Sequence, residues 1–131
     1  MQIGQGLFQY EWIDQWTVIP ATETGKTNGR THGIVVSKTG DVLVFNQAQP
    51  GVLRFDATGK LINAWGDRFH GAHGMTLVEE DGNEFLWLTD DVSKEVVKTT
   101  LDGKVMLSIL QPSHPNLSGW AKIHSHLGRS E

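Results

Sequence analysis

An internal repeat of about 40 residues constrains this chain more than any other sequence feature. Residues 32–36 (HGIVV) reappear as residues 73–77 (HGMTL), 41 positions later, and the Gly-Lys pair at 59–60 reappears at 103–104, 44 positions later. The larger offset indicates three extra residues between the first and second elements of the later unit. A period of this length is typical of architectures in which each repeat is one supersecondary unit, so we expect two such units.

Each unit has the pattern of short β-strands. Its apolar residues are mostly β-branched or aromatic, and they run for four to six positions between glycine-containing turns such as residues 39–41 and 81–83. No ten-residue window keeps an apolar stripe at the helical period without a glycine interrupting it. The predicted strands are 32–37, 42–46, 52–55, 61–65, 73–78, 85–89, 95–99 and 104–109.

Four short antiparallel strands in each 40–45 residues are typical of a β-propeller blade, a small twisted sheet that packs face to face on its neighbours. The predicted fold class is therefore all-β, a β-propeller fragment of about two four-stranded blades plus a lead-in strand. A single antiparallel sandwich with accidental internal similarity is the alternative. Trp12 and Trp16 are expected to pack the lead-in strand. The side chains predicted to be buried are Ile34, Val36, Val44, Phe55, Trp65, Leu77, Trp87 and Leu107.

The sequence of each unit resembles the NHL repeat, and the resemblance spans about residues 31–109. More narrowly, the chain is similar to the catalytic core of the peptidyl-α-hydroxyglycine α-amidating lyase (peptidylamidoglycolate lyase) family, whose members are six-bladed NHL-type propellers. The segments that carry this resemblance are residues 8–16 as a lead-in strand, 44–46 (VFN), 69–74 (FHGAHG) and 87–91 (WLTDD). Several adjoining segments agree in order and spacing, which a single motif does not provide.

The resemblance divides the chain into four parts. Residues 1–31 form a lead-in strand and loop, 32–72 a first NHL-type blade, 73–113 a second blade, and 114–131 an irregular tail. Closing a propeller ring takes four or more blades, so two blades leave two faces exposed. We therefore expect either a truncated chain, which the abrupt end of the resemblance favours, or self-association through the exposed blade faces.

The resemblance also implies metal sites in the central channel. It places His73 at a zinc-ligand position of the family, and His32 stands at the equivalent place one blade earlier as a second candidate. The backbone carbonyls of Ile34 and Met75 fall where the family holds calcium. Gln47 occupies the position of the family's substrate-binding arginine, and a neutral amide does not provide the charge-assisted pairing that arginine gives a carboxylate.

Two functions follow from the resemblance. The first is a partial lyase propeller, which would belong to a metal-dependent C–N lyase releasing a peptide amide and glyoxylate, and which we expect to be inactive as this chain alone. The second is a non-catalytic propeller scaffold that binds a peptide, a protein or a small molecule. Zinc and calcium are the expected cofactors, and no organic cofactor is expected.

Other polar residues have simpler interpretations. Asp90 and Asp91 end a strand, where carboxylates commonly cap the following turn, although paired carboxylates also bind cations. His70 is expected in the loop before a strand. His124 and His126 have a spacing that places two imidazoles on one face of a strand, but they lie in the predicted irregular tail.

Composition excludes several classes of protein. The formal charge of −4 and the absence of a Lys/Arg cluster argue against nucleic-acid binding. The chain contains no cysteine, so a thiolate metal site is excluded. No segment has the length of a signal peptide core or a membrane span, which predicts a cytoplasmic protein with no membrane partner, although secretion of a longer parent protein stays open.

Overall fold

The computed structural model describes residues 1–27, 29–114 and 116. In these residues the protein is mostly β-structure, as the sequence predicts, and its strands form three antiparallel sheets. The elements are β1 (Gln2–Gln5), β2 (Phe8–Glu11), α1 (Glu23–Thr27), β3 (Thr31–Val36), β4 (Val42–Asn46), β5 (Val52–Phe55), β6 (Leu61–Trp65), β7 (Ala72–Glu80), β8 (Asn83–Asp90), β9 (Glu95–Thr100) and β10 (Val105–Leu110).

The two larger sheets are four-stranded meanders. Unit 1 is the sheet β3-β4-β5-β6 and unit 2 is the sheet β7-β8-β9-β10, each with its strands in chain order. All eight predicted strands are present, and β4, β5 and β6 have the predicted bounds. The structure adds a hairpin of β1 and β2, of which only β2 falls within the predicted lead-in strand. The described helix α1 lies outside the repeats and has five residues.

The repeat is preserved in the strand pairing. In unit 1, Phe55 pairs with Leu61 and, after a bulge, Arg54 pairs with Asn63. The residues 44 positions later in unit 2 pair in the same way, Thr99 with Val105 and, after a bulge, Lys98 with Leu107. The pairs between β4 and β5 repeat between β8 and β9 at the same offset. The strand pairing of the two units is therefore equivalent, apart from three extra residues between the first and second strands of unit 2.

Unit 1 packs one of its faces against one face of unit 2. We call the contacting side of unit 1 its forward face, formed by Val35, Leu43, Phe45 and Val52. The contacting side of unit 2 is its rear face, formed by Met75, Leu77, Leu86, Leu88 and Val97. Both sets belong to one hydrophobic core, and Arg54 of unit 1 pairs with Asp102 of unit 2 beside it at 2.8 Å.

The other two faces are open in the described residues, and this corrects part of the predicted core. Ile34 and Val36 are 65% and 59% exposed on the rear face of unit 1, and Leu107 is 46% exposed on the forward face of unit 2. Within the described residues no sheet lies over these three side chains, which is the physical reason that they meet solvent. Val44 and Phe55 are buried as predicted. Trp65, Leu77 and Trp87 are half-buried.

Trp16 covers the outer part of the rear face of unit 1. Its ring meets Phe55 edge to face, with centroids 6.2 Å apart, and its backbone lies against Gly59. Trp65 of unit 1 lies against Gly103 of unit 2, the equivalent glycine. Trp16 therefore stands on unit 1 where Trp65 stands on unit 2, as predicted for a packing residue of the lead-in segment. Trp12, in contrast, is 53% exposed.

Two further predictions concern the C-terminal segment and membrane-spanning helices. Residues 117–131, which include Trp120, His124 and His126, lie outside the described residues, so the predicted tail stays a prediction. Among the helices that the structure describes, none is long and apolar enough to cross a membrane.

Candidate functional site

Two histidines occupy matched β-bulges at the start of the first strand of each unit. Thr31 and Gly33 pair with the consecutive residues Asn46 and Phe45, so His32 between them has no partner on β4. The same irregularity between Ala72 and Gly74 leaves His73 without a partner on β8. A bulge places an extra residue in one strand and redirects its side chain, and bulges of this kind are common next to binding sites.

The two bulges bring the imidazoles together. The rings of His32 and His73 are stacked, with centroids 5.0 Å apart and planes 21° from parallel. His32 is exposed and His73 is half-buried. Two residues that are 41 positions apart in sequence therefore form one surface pair between the units.

The pair depends on a close approach of β3 and β7. A Cβ placed on Gly33 would lie 2.5 Å from the Cβ of Met75, which is closer than two carbon atoms pack. The atom of Met75 that the added Cβ would meet is its own Cβ, which is bound directly to the backbone. Moving the end of the Met75 side chain therefore cannot relieve the contact. Glycine at position 33 therefore permits the strand spacing that sets the two histidines side by side.

Gly33→Ala is expected to lower the free energy of unfolding by about 1–3 kcal/mol, because the added methyl forces β3 and β7 apart. Denaturant unfolding followed by tryptophan fluorescence measures the change. Ile34→Val, next in the strand and exposed, is the matched control and is expected to change the free energy by less than about 0.5 kcal/mol. Equal stability of Gly33→Ala and the control would contradict the close approach.

The charges around His32 favour its neutral form. Partial burial, the neighbouring His73 and the charge of Arg30 together lower the pKa of His32 below its usual value of 6.5, and Asp91 acts in the opposite direction. Because the unfolded chain then takes up a proton on His32 at higher pH than the folded chain, stability decreases as the pH falls below 6.5. The neutral imidazole that metals bind also persists to lower pH.

Gln47 and Arg30 are neighbours through the backbone. The N–H of Gln47, just after β4, donates to the carbonyl of Arg30 at 2.9 Å. Gln47 is thus placed beside the segment that leads into His32. Arg30 was not singled out from the sequence, since no motif marks it; its position two residues before His32 is the one signal that points to it.

Asp90 caps the turn after β8, in agreement with the simpler interpretation of this carboxylate. It is fully buried. One carboxylate oxygen accepts hydrogen bonds from the N–H groups of Val92 and Ser93 at 2.9 and 2.8 Å, and the other accepts one from Gly71 at 2.9 Å. The side chain joins the loop before β7 to the turn after β8, next to His73.

The structure gives the positions of the remaining predicted site residues but does not test their roles. Ile34 and Met75 are equivalent positions on the neighbouring strands β3 and β7, and calcium binding by their carbonyls stays a prediction. His70 lies in the loop before β7, as expected, and its Nδ1 is 2.8 Å from Nε2 of Gln49.

Within residues 1–27, 29–114 and 116, no group of three or more His, Cys, Asp or Glu side chains is arranged to hold a metal ion. Comparison of the chain with protein-family models gives no match. Comparisons with curated proteins and with solved structures give no significant match either.

Proposed function

We propose that this chain supplies two blades of a lyase-like β-propeller of the peptidylamidoglycolate lyase type, in which His32 and His73 form part of a zinc site. The observation that carries the proposal is the stacked pair of imidazoles at matched bulges on neighbouring strands. The pairwise equivalence of the two sheets supports a repeat architecture for the parent fold.

The donor chemistry of the pair fits two positions of a tetrahedral zinc site. Zinc binds imidazole nitrogen at about 2.0–2.1 Å, so two ligating nitrogens lie about 3.3 Å apart. The rings have centroids 5.0 Å apart and planes 21° from parallel, so both side chains would have to rotate to turn a nitrogen toward one ion. The lowered pKa of His32 keeps its nitrogen available for coordination.

A bound zinc ion would supply Lewis-acid polarisation of the substrate hydroxyl. The reaction of the family cleaves the C–N bond of a carbinolamide: the hydroxyl loses its proton, the nitrogen gains one, and an amide and glyoxylate result. Arg30 is the cation beside the histidine pair, so we assign to it the attraction of the substrate carboxylate that Gln47 does not provide.

Two histidine ligands are too few for one chain to form a catalytic zinc site. A catalytic zinc site typically has three protein ligands and one open position, and His32 and His73 provide two. We therefore propose that this chain alone binds zinc without lyase activity.

Zinc titration by calorimetry tests the proposal. We expect one ion per chain at the pair, with His32→Ala and His73→Ala each weakening the affinity at least about tenfold, because each removes one of two ligands. His70→Ala is the matched control, and a double His124→Ala/His126→Ala variant reports any contribution of the C-terminal histidines. Unchanged zinc affinity in His73→Ala would contradict the site.

The activity is tested separately with α-hydroxyhippurate, added zinc and a glyoxylate assay. We expect no glyoxylate from the wild-type chain. Glyoxylate release that disappears in His73→Ala would contradict this prediction, and would mean that several copies jointly complete the zinc site.

A non-catalytic scaffold that binds a peptide, protein or small molecule is the second candidate. Gln47 favours it, because a neutral amide at the substrate-binding position suits a ligand other than a carboxylate. Absence of both zinc binding and turnover in the two assays above would support this function.

A further inference from the structure

The two open faces of this chain are the two halves of an interface that the chain already contains. Inside the chain, the forward face of unit 1 packs on the rear face of unit 2. The open faces are the forward face of unit 2 and the rear face of unit 1. Equivalent residues of the two units are 41 positions apart in the first strands and 44 positions apart in the others. The open forward face of unit 2 is therefore equivalent to the forward face of unit 1, and the open rear face of unit 1 to the rear face of unit 2. The two equivalent faces contact each other within the chain.

The chemistry of the open faces is that of an interface. A cleft on the forward face of unit 2 is lined by Gly74, Thr76, Trp87, Thr89 and Val96. A nearly entirely apolar cleft on the rear face of unit 1 is lined by Trp16, Thr17, Ile19, Thr31, Ile34, Val42 and Val44. Uncharged side chains line both clefts, so docking at the clefts desolvates no charged group.

We propose that a second copy of this chain docks head to tail, with the rear face of its unit 1 on the forward face of unit 2 of the first copy. This contact repeats the inner part of the internal interface, between the first two strands of each unit. It rests on the propeller architecture proposed above, and not on zinc binding or turnover.

Particular contacts of the internal interface have counterparts in the proposed one. Gly33 receives Met75 within the chain, and the equivalent pair between copies is Gly74 with Ile34. The exposure of Ile34 in the single chain follows, because its counterpart Met75 is covered only by the neighbouring unit.

The ion pair of the internal interface has no direct counterpart in the proposed one. Arg54 of unit 1 reaches across the internal interface to the turn of unit 2 that contains Asp102. The residue equivalent to Arg54 is Lys98, but the residue equivalent to Asp102 in the next copy is Thr58. Within one chain, Lys98 pairs with Glu80 and lies 4.3 Å from the ring centroid of Phe85 on the open forward face.

The contact uses the inner strands of the two units. Trp16 already covers the outer part of the rear face of unit 1, in the place that Trp65 takes on unit 2. The second copy therefore docks β3 and β4 of its unit 1 on β7 and β8 of the first copy. A heterologous contact of this kind propagates until a ring closes, and propellers close with about four to eight blades, which corresponds to two to four copies.

Sedimentation velocity of the full chain tests the proposal, at concentrations from about 1 to 100 μM, where weak contacts change their occupancy. We expect the wild type to form a closed species of two to four copies. Thr76→Lys blocks the forward face of unit 2 and Ile34→Lys blocks the rear face of unit 1. Both positions are exposed in the single chain, so the fold is expected to be retained, which near-ultraviolet circular dichroism checks.

Each blocked variant is expected to be monomeric alone, and an equimolar mixture of the two is expected to form a 1:1 heterodimer, because each variant keeps one complementary face. Val36→Lys replaces Ile34→Lys if the latter unfolds. Val92→Lys, exposed and in the turn after β8, is the matched control and is expected to associate like the wild type.

Three results would overturn the proposal. A wild type that is monomeric throughout the range would mean that something other than a second copy covers the faces, for example a further unit of a longer chain. Association of Thr76→Lys alone at the wild-type level would mean a symmetric contact between rear faces. Folded variants that do not combine in the mixture would exclude the head-to-tail arrangement.

Discussion

Phe45→Ala is expected to lower the free energy of unfolding by about 3–5 kcal/mol, the largest effect of a single substitution that we expect in this chain. Phe45 lies on the forward face of unit 1 and is fully buried. Its ring meets that of Phe69 edge to face, with centroids 5.4 Å apart. Its removal leaves a cavity in the core that joins unit 1 to unit 2, and so weakens both units together.

Denaturant unfolding monitored by circular dichroism measures this effect. Ile62→Ala is the matched control, because Ile62 is half exposed on β6 and a smaller cost, under about 1 kcal/mol, is expected. A loss for Phe45→Ala no larger than that of the control would show that the two units are not held together by this core.

Asp90→Ala is expected to lower the free energy of unfolding by about 2–4 kcal/mol, because it leaves three backbone N–H donors without their carboxylate acceptor. These donors belong to Gly71, Val92 and Ser93, on the two segments that flank the start of β7. Since His73 follows this start directly, we also expect weaker binding at the proposed zinc site.

Asp91→Ala is the control for Asp90→Ala, since Asp91 is adjacent but half-buried, and Asp90→Asn separates the role of charge from that of hydrogen bonding. Asparagine at the equivalent position 46 already caps its turn, with its carbonyl oxygen accepting from the N–H of Ala48 at 2.8 Å. We therefore expect Asp90→Asn to be less destabilising than Asp90→Ala. Equal losses for the two would contradict the capping role.

The strands of unit 1 were predictable because their limits are local. Gly40 lies in the turn before β4, and Gly59 lies in the turn between β5 and β6. Both glycines have the positive φ angles that such turns require, and they are visible in the sequence. The hairpin of β1 and β2 was predicted only in part: β2 falls within the predicted lead-in strand, whereas β1 has one large apolar residue, Ile3, and is exposed throughout.

The candidate site was predictable only in part. The repeat alone pairs His32 with His73 as equivalent positions, because the offset of 41 is visible in the sequence. The stacking of their rings and the charge of Arg30 beside them were not visible, because they depend on how closely β3 approaches β7.

The sequence by itself determined that this protein is built from two equivalent units of short antiparallel strands, because turn glycines and β-branched runs act over a few residues. Tertiary structure decided which face of each unit is covered. Ile34 and Val44 have the same apolar character and lie directly opposite each other on one face, yet Ile34 is 65% exposed and Val44 only 6%. Burial depends on the neighbour that lies above a side chain, and that neighbour comes from a distant part of the chain or, as we propose, from a second copy.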